Sequence, residues 1–239
     1  MTLRNKRIVI VGGSSGIGLA TAQSALAAGA HVIIVSSRQT SIDRALAELN
    51  GPVTGHTIDV LDKKTVTAFF DDLGEIDHLV YTAGEPLTLN PIIGMDISAA
   101  QDFFQVRYFG ALTTISAAAP HPHPEGSITL TSGSARTRPG AGWSLGASIS
   151  GAVTSLTKAL AIELAPIRVN CVEPGIIRSP LWDAMTETDR DQMYEQQGAT
   201  LPAGRVGEVT DVAQAFLYAM TQTFTTGTSI PVDGGALLV

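Results

Sequence analysis

Residues 8–11, IVIV, run straight into GGSSGIGLATA, and this junction constrains the fold more than any other part of the chain. A β-branched run favours a buried strand, and the alanine-rich segment after Gly18 has helical composition. Gly12, Gly16 and Gly18 lie between the two. Gly12 permits the tight turn, Gly16 lets the backbone approach a ligand, and Gly18 allows the helix to pack closely on the strand. A strand entering a helix through such a turn starts a βαβ unit, and the rest of the chain repeats the alternation. Short β-branched runs recur at RIVIVG, AHVIIVS, VTGHTID, DHLVYTA, GSITLTS, IRVNCVE and TSIPVDG. Helical periodicity over 16–28, 40–49, 62–73, 96–118, 145–165 and 208–220 separates most of them, and a further helix is expected around 181–196. The pattern predicts an α/β fold of Rossmann type, a doubly wound parallel sheet in three α/β/α layers. With 239 residues, 44% of them hydrophobic, the chain reads as a single domain, 1–239. The stretch PHPHPEG, 120–126, is the most broken, and its alternating prolines are expected to exclude regular structure. His121 and His123 there have no third ligand near them, so they read as exposed loop histidines and no metal site is expected.

The glycine spacing is G-x-x-x-G-x-G, with Ser14, Ser15 and Ile17 in the same loop. Free N–H groups and the positive dipole end of the following helix suit a pyrophosphate. The second strand ends VIIVSSRQT, with no acidic residue to bind a ribose 2′-hydroxyl. Ser37 and Arg38 instead offer a hydroxyl and a guanidinium, which match a 2′-phosphate in charge and geometry, so the expected cofactor is NADP(H). A net charge of −7 leaves no basic stripe, which argues against nucleic acid and leaves a small molecule as the expected partner. The lone Cys171 excludes an internal disulfide and a thiolate zinc site, and reads as a small buried strand residue. The apolar run behind Arg4, Lys6 and Arg7 is too short for a signal peptide, and no uninterrupted apolar stretch nears the ~18 residues of a membrane span. No membrane partner and a cytoplasmic location are therefore expected.

These motifs resemble the classical short-chain dehydrogenase/reductases over essentially the whole length. By that resemblance, TIDV places Asp59 and Val60 at the adenine ring. The segment YTAG, 81–84, keeps Ala83 and Gly84 beside the cofactor but carries Tyr81 and Thr82 where the family has two asparagines. VNCVEPGIIRSPL places Pro174, Gly175, Ile176 and Ser179 around the nicotinamide half, and LPAGRVGEVTDVAQAFLYAM with the terminal VDGG matches the closing helix and strand. The resemblance implies a bound nicotinamide dinucleotide and a homodimer or homotetramer built through the long helices. Gly151, Ala152, Ser155 and Ala159 are small enough for such packing. It further implies a substrate lid over 180–203, in which Trp182, Met185, Met193 and Tyr194 either line an apolar pocket or pack on the core.

The family's catalytic residues are a serine, a Tyr-x-x-x-Lys pair and an asparagine, and here the aligned positions carry Gly133, Gly146, Ser150 and Arg107. The helix AVTSLTKALAIELA aligns without a gap, with Lys158 at a noncatalytic position, so the difference is a changed site. Trp143, about one turn before Gly146, is expected to face the same cleft, whereas Ser132 and Ser134 should point away by strand alternation unless the strand end is bulged. Arginine does not donate a proton usefully at neutral pH, so Arg107 is read either as a charge stabiliser or as an ordinary ion-paired or surface group on its helix, and Ser150 as a partial replacement for the lysine's hydrogen bond. Two readings remain open. One is an NADP(H)-dependent oxidoreductase acting on a small carbonyl or alcohol with altered proton delivery, and the other is a catalytically inactive NADP(H)-binding sensor or structural subunit.

Overall fold

Alternation along each strand divides the apolar side chains between two faces. In β1 (Arg7–Val11), Val9 and Val11 join one buried cluster while Ile8 and Ile10 join another. A strand buried on both sides belongs inside a parallel sheet, and β1 pairs in parallel with β2 (His31–Ser36) and with β4 (Ile76–Tyr81). The computed structural model describes residues 2–87 and 89–239. The remaining strands are β3 (Val53–Thr57), β5 (Pro122–Thr131), β6 (Arg168–Pro174), a short parallel pair of β7 (Ile177–Arg178) and β8 (Gly207–Glu208), and β9 (Ser229–Val232). Seven of them form one parallel sheet in the order β3-β2-β1-β4-β5-β6-β9.

Helices cover both faces, as the sequence predicts. α1 (Gly16–Ala27), α2 (Gln39–Glu48) and α8 (Val209–Thr221) contribute Ala25, Ile42 and Phe216 to the cluster containing Ile8. α3 (Lys63–Leu73), α4 (Ile97–Phe104), α5 (Ala111–Ala118) and α6 (Ser144–Glu163) lie on the other side, where Phe70, Ile115 and Val153 meet Val9. The segment 180–203 holds α7 (Glu187–Thr200). Caps set several of these starts. Asp62 accepts from the N–H groups of Lys64 and Thr65, Asp96 from Ser98 and Ala99, and Glu208 forms a capping box with Asp211.

Four expectations need correction. Residues 96–118 are not one regular helix, because a π turn at Gln105–Gly110 separates α4 from α5. The helix expected near 181–196 starts later, at Glu187, where Thr186 caps it, and a 3₁₀ turn occupies Pro180–Trp182. The prolines at 120–126 do not exclude a strand: Pro122 pairs with Ile76, and the ladder resumes at Ser127 opposite His78 after a bulge. Proline fits there because the register breaks where its missing N–H would be needed. His121 is accordingly not an exposed loop residue; its ring stacks on Phe70 and lies 3.4 Å from Asp71. By length and average composition α6 could cross a membrane, although serines, threonines and Lys158 interrupt its apolar run. Its buried residues Ile149, Val153, Thr157 and Leu160 pack within this fold.

Candidate functional site

Strand order reverses between β1 and β4, and the crevice at their carboxyl ends is where an open α/β sheet binds its ligand. The turn after β1 is shaped for close approach. Gly12 has φ +87°, and a Cβ there would lie 2.5 Å from the Ala83 nitrogen. A Cβ on Gly18 would come within 2.5 Å of Thr82 Oγ1, whose hydroxyl donates to the Val11 carbonyl at 3.0 Å. Thr82 thus ties the end of β4 to the glycine turn. Ser15 makes no side-chain cap on α1, and the first turn carries no acidic residue, so the helix presents its N–H groups and positive end to the crevice.

The crevice opens into a cleft of about 1410 Å³. Gly12, Ser14, Ser15, Gly16, Ile17, Gly18, Ser37, Arg38, Asp59, Val60, Ala83, Gly84, Pro174, Gly175, Ile176 and Ser179 all line it, so the predicted cofactor residues come together along one groove. At the end near Ser37 and Arg38, the groove also includes Ser41 and Arg44, which sequence reasoning missed. Arg44 lies on α2, and only the fold brings it to the groove that Arg38 also lines. Asp59 is fixed by the Leu61 N–H at 2.9 Å, and Ser14 bonds Ser36 at 3.0 Å between hydroxyls.

Arg107, Gly133, Gly146 and Ser150 also line this cleft. A Cβ on Gly133 would lie 3.1 Å from Ser150 Oγ. The π turn presents Arg107, a backbone feature often found at functional sites. Its guanidinium donates to the Glu85 carbonyl, its Nε lies 3.7 Å from Glu85 Oε2, and its Cζ sits 5.3 Å from the centre of the Phe103 ring. Glu85 in turn accepts the Val106 N–H at 2.7 Å. The guanidinium is packed so closely on Gly84 that a Cβ there would be 2.7 Å from its Cζ. Burial lowers the arginine below its usual range, while Glu85 and then Tyr81 act in the opposite sense. A smaller cavity of about 50 Å³ behind the cleft is shared by Arg107, Ser150, Ser132 and Thr131.

Tyr81 does not replace a catalytic phenol. Its hydroxyl is spent on the Val106 carbonyl, and burial followed by the charge of Glu85 pushes its pKa far up. Ser132 is also engaged, donating to the Ser150 carbonyl at 2.9 Å and bonding Thr154 Oγ1 at 3.1 Å. Contrary to the expectation from alternation, Ser132 and Ser134 both border the cleft, because the strand gives way to a 3₁₀ turn at Ser134–Arg136. Trp143 faces the cleft as predicted. In the segment 180–203, Trp182 and Met193 line the cleft, whereas Met185 and Tyr194 do not line it and pack in a cluster with them, with Arg178 lying 4.3 Å over the Tyr194 ring. Glu85 and Leu87 lie in the loop after β4 and carried no recognisable pattern.

Fold and groove together define a dinucleotide-binding α/β protein. The family model described as an SDR-like Rossmann domain matches residues 1–239, and the chain belongs to the short-chain dehydrogenase/reductase family. It is 34% identical to the short-chain dehydrogenase/reductase ucsE of Acremonium sp, over 99% of this chain and 97% of that one. Among solved structures it resembles a small-chain dehydrogenase in complex with NADPH, with a TM-score of 0.85, 34% identity and coverage of 98% of this chain and 100% of the other. It also resembles the MalC reductase/Diels-Alderase of Malbranchea aurantiaca, with a TM-score of 0.89, 31% identity and coverage of 99% and 98%.

Proposed function

We propose that this protein is an NADP(H)-dependent oxidoreductase of atypical short-chain type, which moves a hydride to or from a small carbonyl or alcohol without a tyrosine proton donor. The observation that carries the reading is Arg107, a buried guanidinium seated against Gly84 in an otherwise complete dinucleotide groove. A relative of similar fold binds NADPH and another is a reductase, which supports the same chemistry here.

The glycine turn and the start of α1 hold the pyrophosphate. Ser37, Arg38 and Arg44 take the 2′-phosphate. Ala83, Gly84, Pro174, Gly175, Ile176 and Ser179 flank the nicotinamide. When bound, the dinucleotide supplies or accepts the hydride. Arg107 stabilises the alkoxide that develops on the substrate oxygen, and water provides the proton in reduction. A positioned general acid contributes ~10²–10⁴ in rate, whereas orientation of two reactants can supply ~7–11 kcal/mol, so turnover survives the changed residues. The working form is proposed to be a homodimer or homotetramer, with exposed Phe109 of the π turn and Ile162 of α6 in the contact.

A fluorescence titration with NADPH and NADH, followed by NADPH oxidation across a panel of carbonyl compounds, tests the proposal. NADPH should bind more tightly than NADH and be oxidised. Arg38→Ala should weaken NADPH by roughly 10–100-fold, the worth of a charge-assisted contact, and leave NADH within about twofold. Equal losses for the two cofactors would remove the 2′-phosphate assignment; tight NADPH binding without any turnover would refute the enzymatic reading.

A further inference from the structure

One wall of the cleft that Arg107 also lines is built around one indole. A Cβ on Gly140 would lie 3.1 Å from Trp143 Cδ1 and 3.4 Å from its Nε1. A Cβ on Gly146 would lie 3.3 Å from Trp143 Cε3 and 3.8 Å from its Cζ3. The ring is therefore slotted between two glycines, one along each edge, and it takes the space beside the position where the family carries tyrosine. The chain has only two tryptophans, and the second, Trp182, meets the first edge to face at 6.4 Å and 64°. Trp182 is fixed in turn, because its Nε1–H donates to the Ile177 carbonyl at 3.0 Å. Both rings line the cleft, together with Leu87 and Met193.

Such a wall offers large rigid apolar faces and few hydrogen-bonding groups. A polyhydroxylated chain laid on it would lose water from its hydroxyls without replacement, whereas a flat ring system gains stacking contact and keeps one polar edge for Arg107. Resting on the oxidoreductase reading, we propose that the substrate is a flat aryl carbonyl compound, and that Trp143 is the residue that selects it. In reduction the carbonyl carbon gains a hydride, two electrons and one hydrogen nucleus, from the dihydronicotinamide, which is left as the oxidised nicotinamide. The carbonyl π pair moves to oxygen, Arg107 holds the alkoxide, and a water proton completes the alcohol.

Calorimetric titration of the NADP⁺-loaded protein with 2-acetylnaphthalene, alongside fructose, tests this, because the oxidised cofactor prevents turnover. The aryl ketone should bind saturably and fructose should not. Trp143→Ala should weaken the ketone at least about tenfold, and Trp143→Phe should recover most of the loss. Gly140→Ala, which keeps both rings but crowds the indole, should weaken it severalfold while leaving NADP⁺ affinity unchanged. If NADP⁺ itself fails to bind, the oxidoreductase reading falls. If NADP⁺ binds but the ketone does not, or if a folded Trp143→Ala variant binds it as tightly as the parent, the aromatic assignment alone is overturned.

Discussion

Under the proposed reaction, the side chains lining the cleft that can release a proton set its pH dependence. Tyr81 is locked in its protonated form by burial and by Glu85, and Arg107 remains a cation although burial lowers its pKa. No lysine borders the cleft among the described residues, and Ser150 does not titrate in water's range. The kcat/KM for carbonyl reduction should consequently stay level between about pH 6 and 9; a stepped profile from steady-state rates would reveal a titrating acid and refute water as the donor. Gly133, Gly146, Ser150 and Arg107 could each be singled out in the sequence as candidates, and all four line the cleft. Glu85 could not be, since its role depends on the π turn bringing the Val106 N–H and Arg107 against it.

Between elements, the clearest device is a charged clamp. Arg136, in the 3₁₀ turn after β5, contacts both oxygens of Glu173 at 2.8 Å, and Glu173 is 0% exposed on β6, immediately before Pro174. The turn bearing Gly133 is thereby fixed to the strand that leads into the predicted nicotinamide loop. Removing the arginine strands a buried carboxylate, a loss of about 3–5 kcal/mol for a fully buried pair and on the order of 2 kcal/mol here, where the Arg136 side chain is 31% exposed. Arg136→Met should show that loss in urea unfolding, and Arg136→Met/Glu173→Leu should recover most of it; no recovery in the double variant would show that the pairing is not what Glu173 requires. Neither residue belonged to a motif, and only the packing of α6 and β6 around the turn brings them together. Helix positions fared better, since apolar spacing and caps such as Asp62 are local. The interruption at Gln105–Gly110 was hidden because a single π turn barely changes that spacing.

For the whole molecule, stability should depend on pH through His78. The ring is buried beneath the sheet with Nδ1 2.9 Å from Ser127 Oγ, and burial, aided by Arg168 and Lys6 and opposed by Asp77, lowers its pKa to about 4. Folding then favours the neutral ring. Its contribution is fully present above the unfolded pKa near 6.5 and is lost as pH falls toward 4, by about 3 kcal/mol in all. Urea midpoints measured across that window should fall more steeply for the parent than for His78→Asn, and parallel curves would mean that the ring is protonated in the folded protein. At this scale the sequence by itself determined the layered α/β fold and the cofactor turn, because strand alternation, helical spacing and the positive φ of Gly12 are local properties that a chain carries wherever it folds. Only the tertiary structure decided the seating of Trp143 between Gly140 and Gly146, the Arg136–Glu173 clamp and the pinning of Arg107. Those depend on distances between segments far apart in the chain, and such distances are set by how the layers pack.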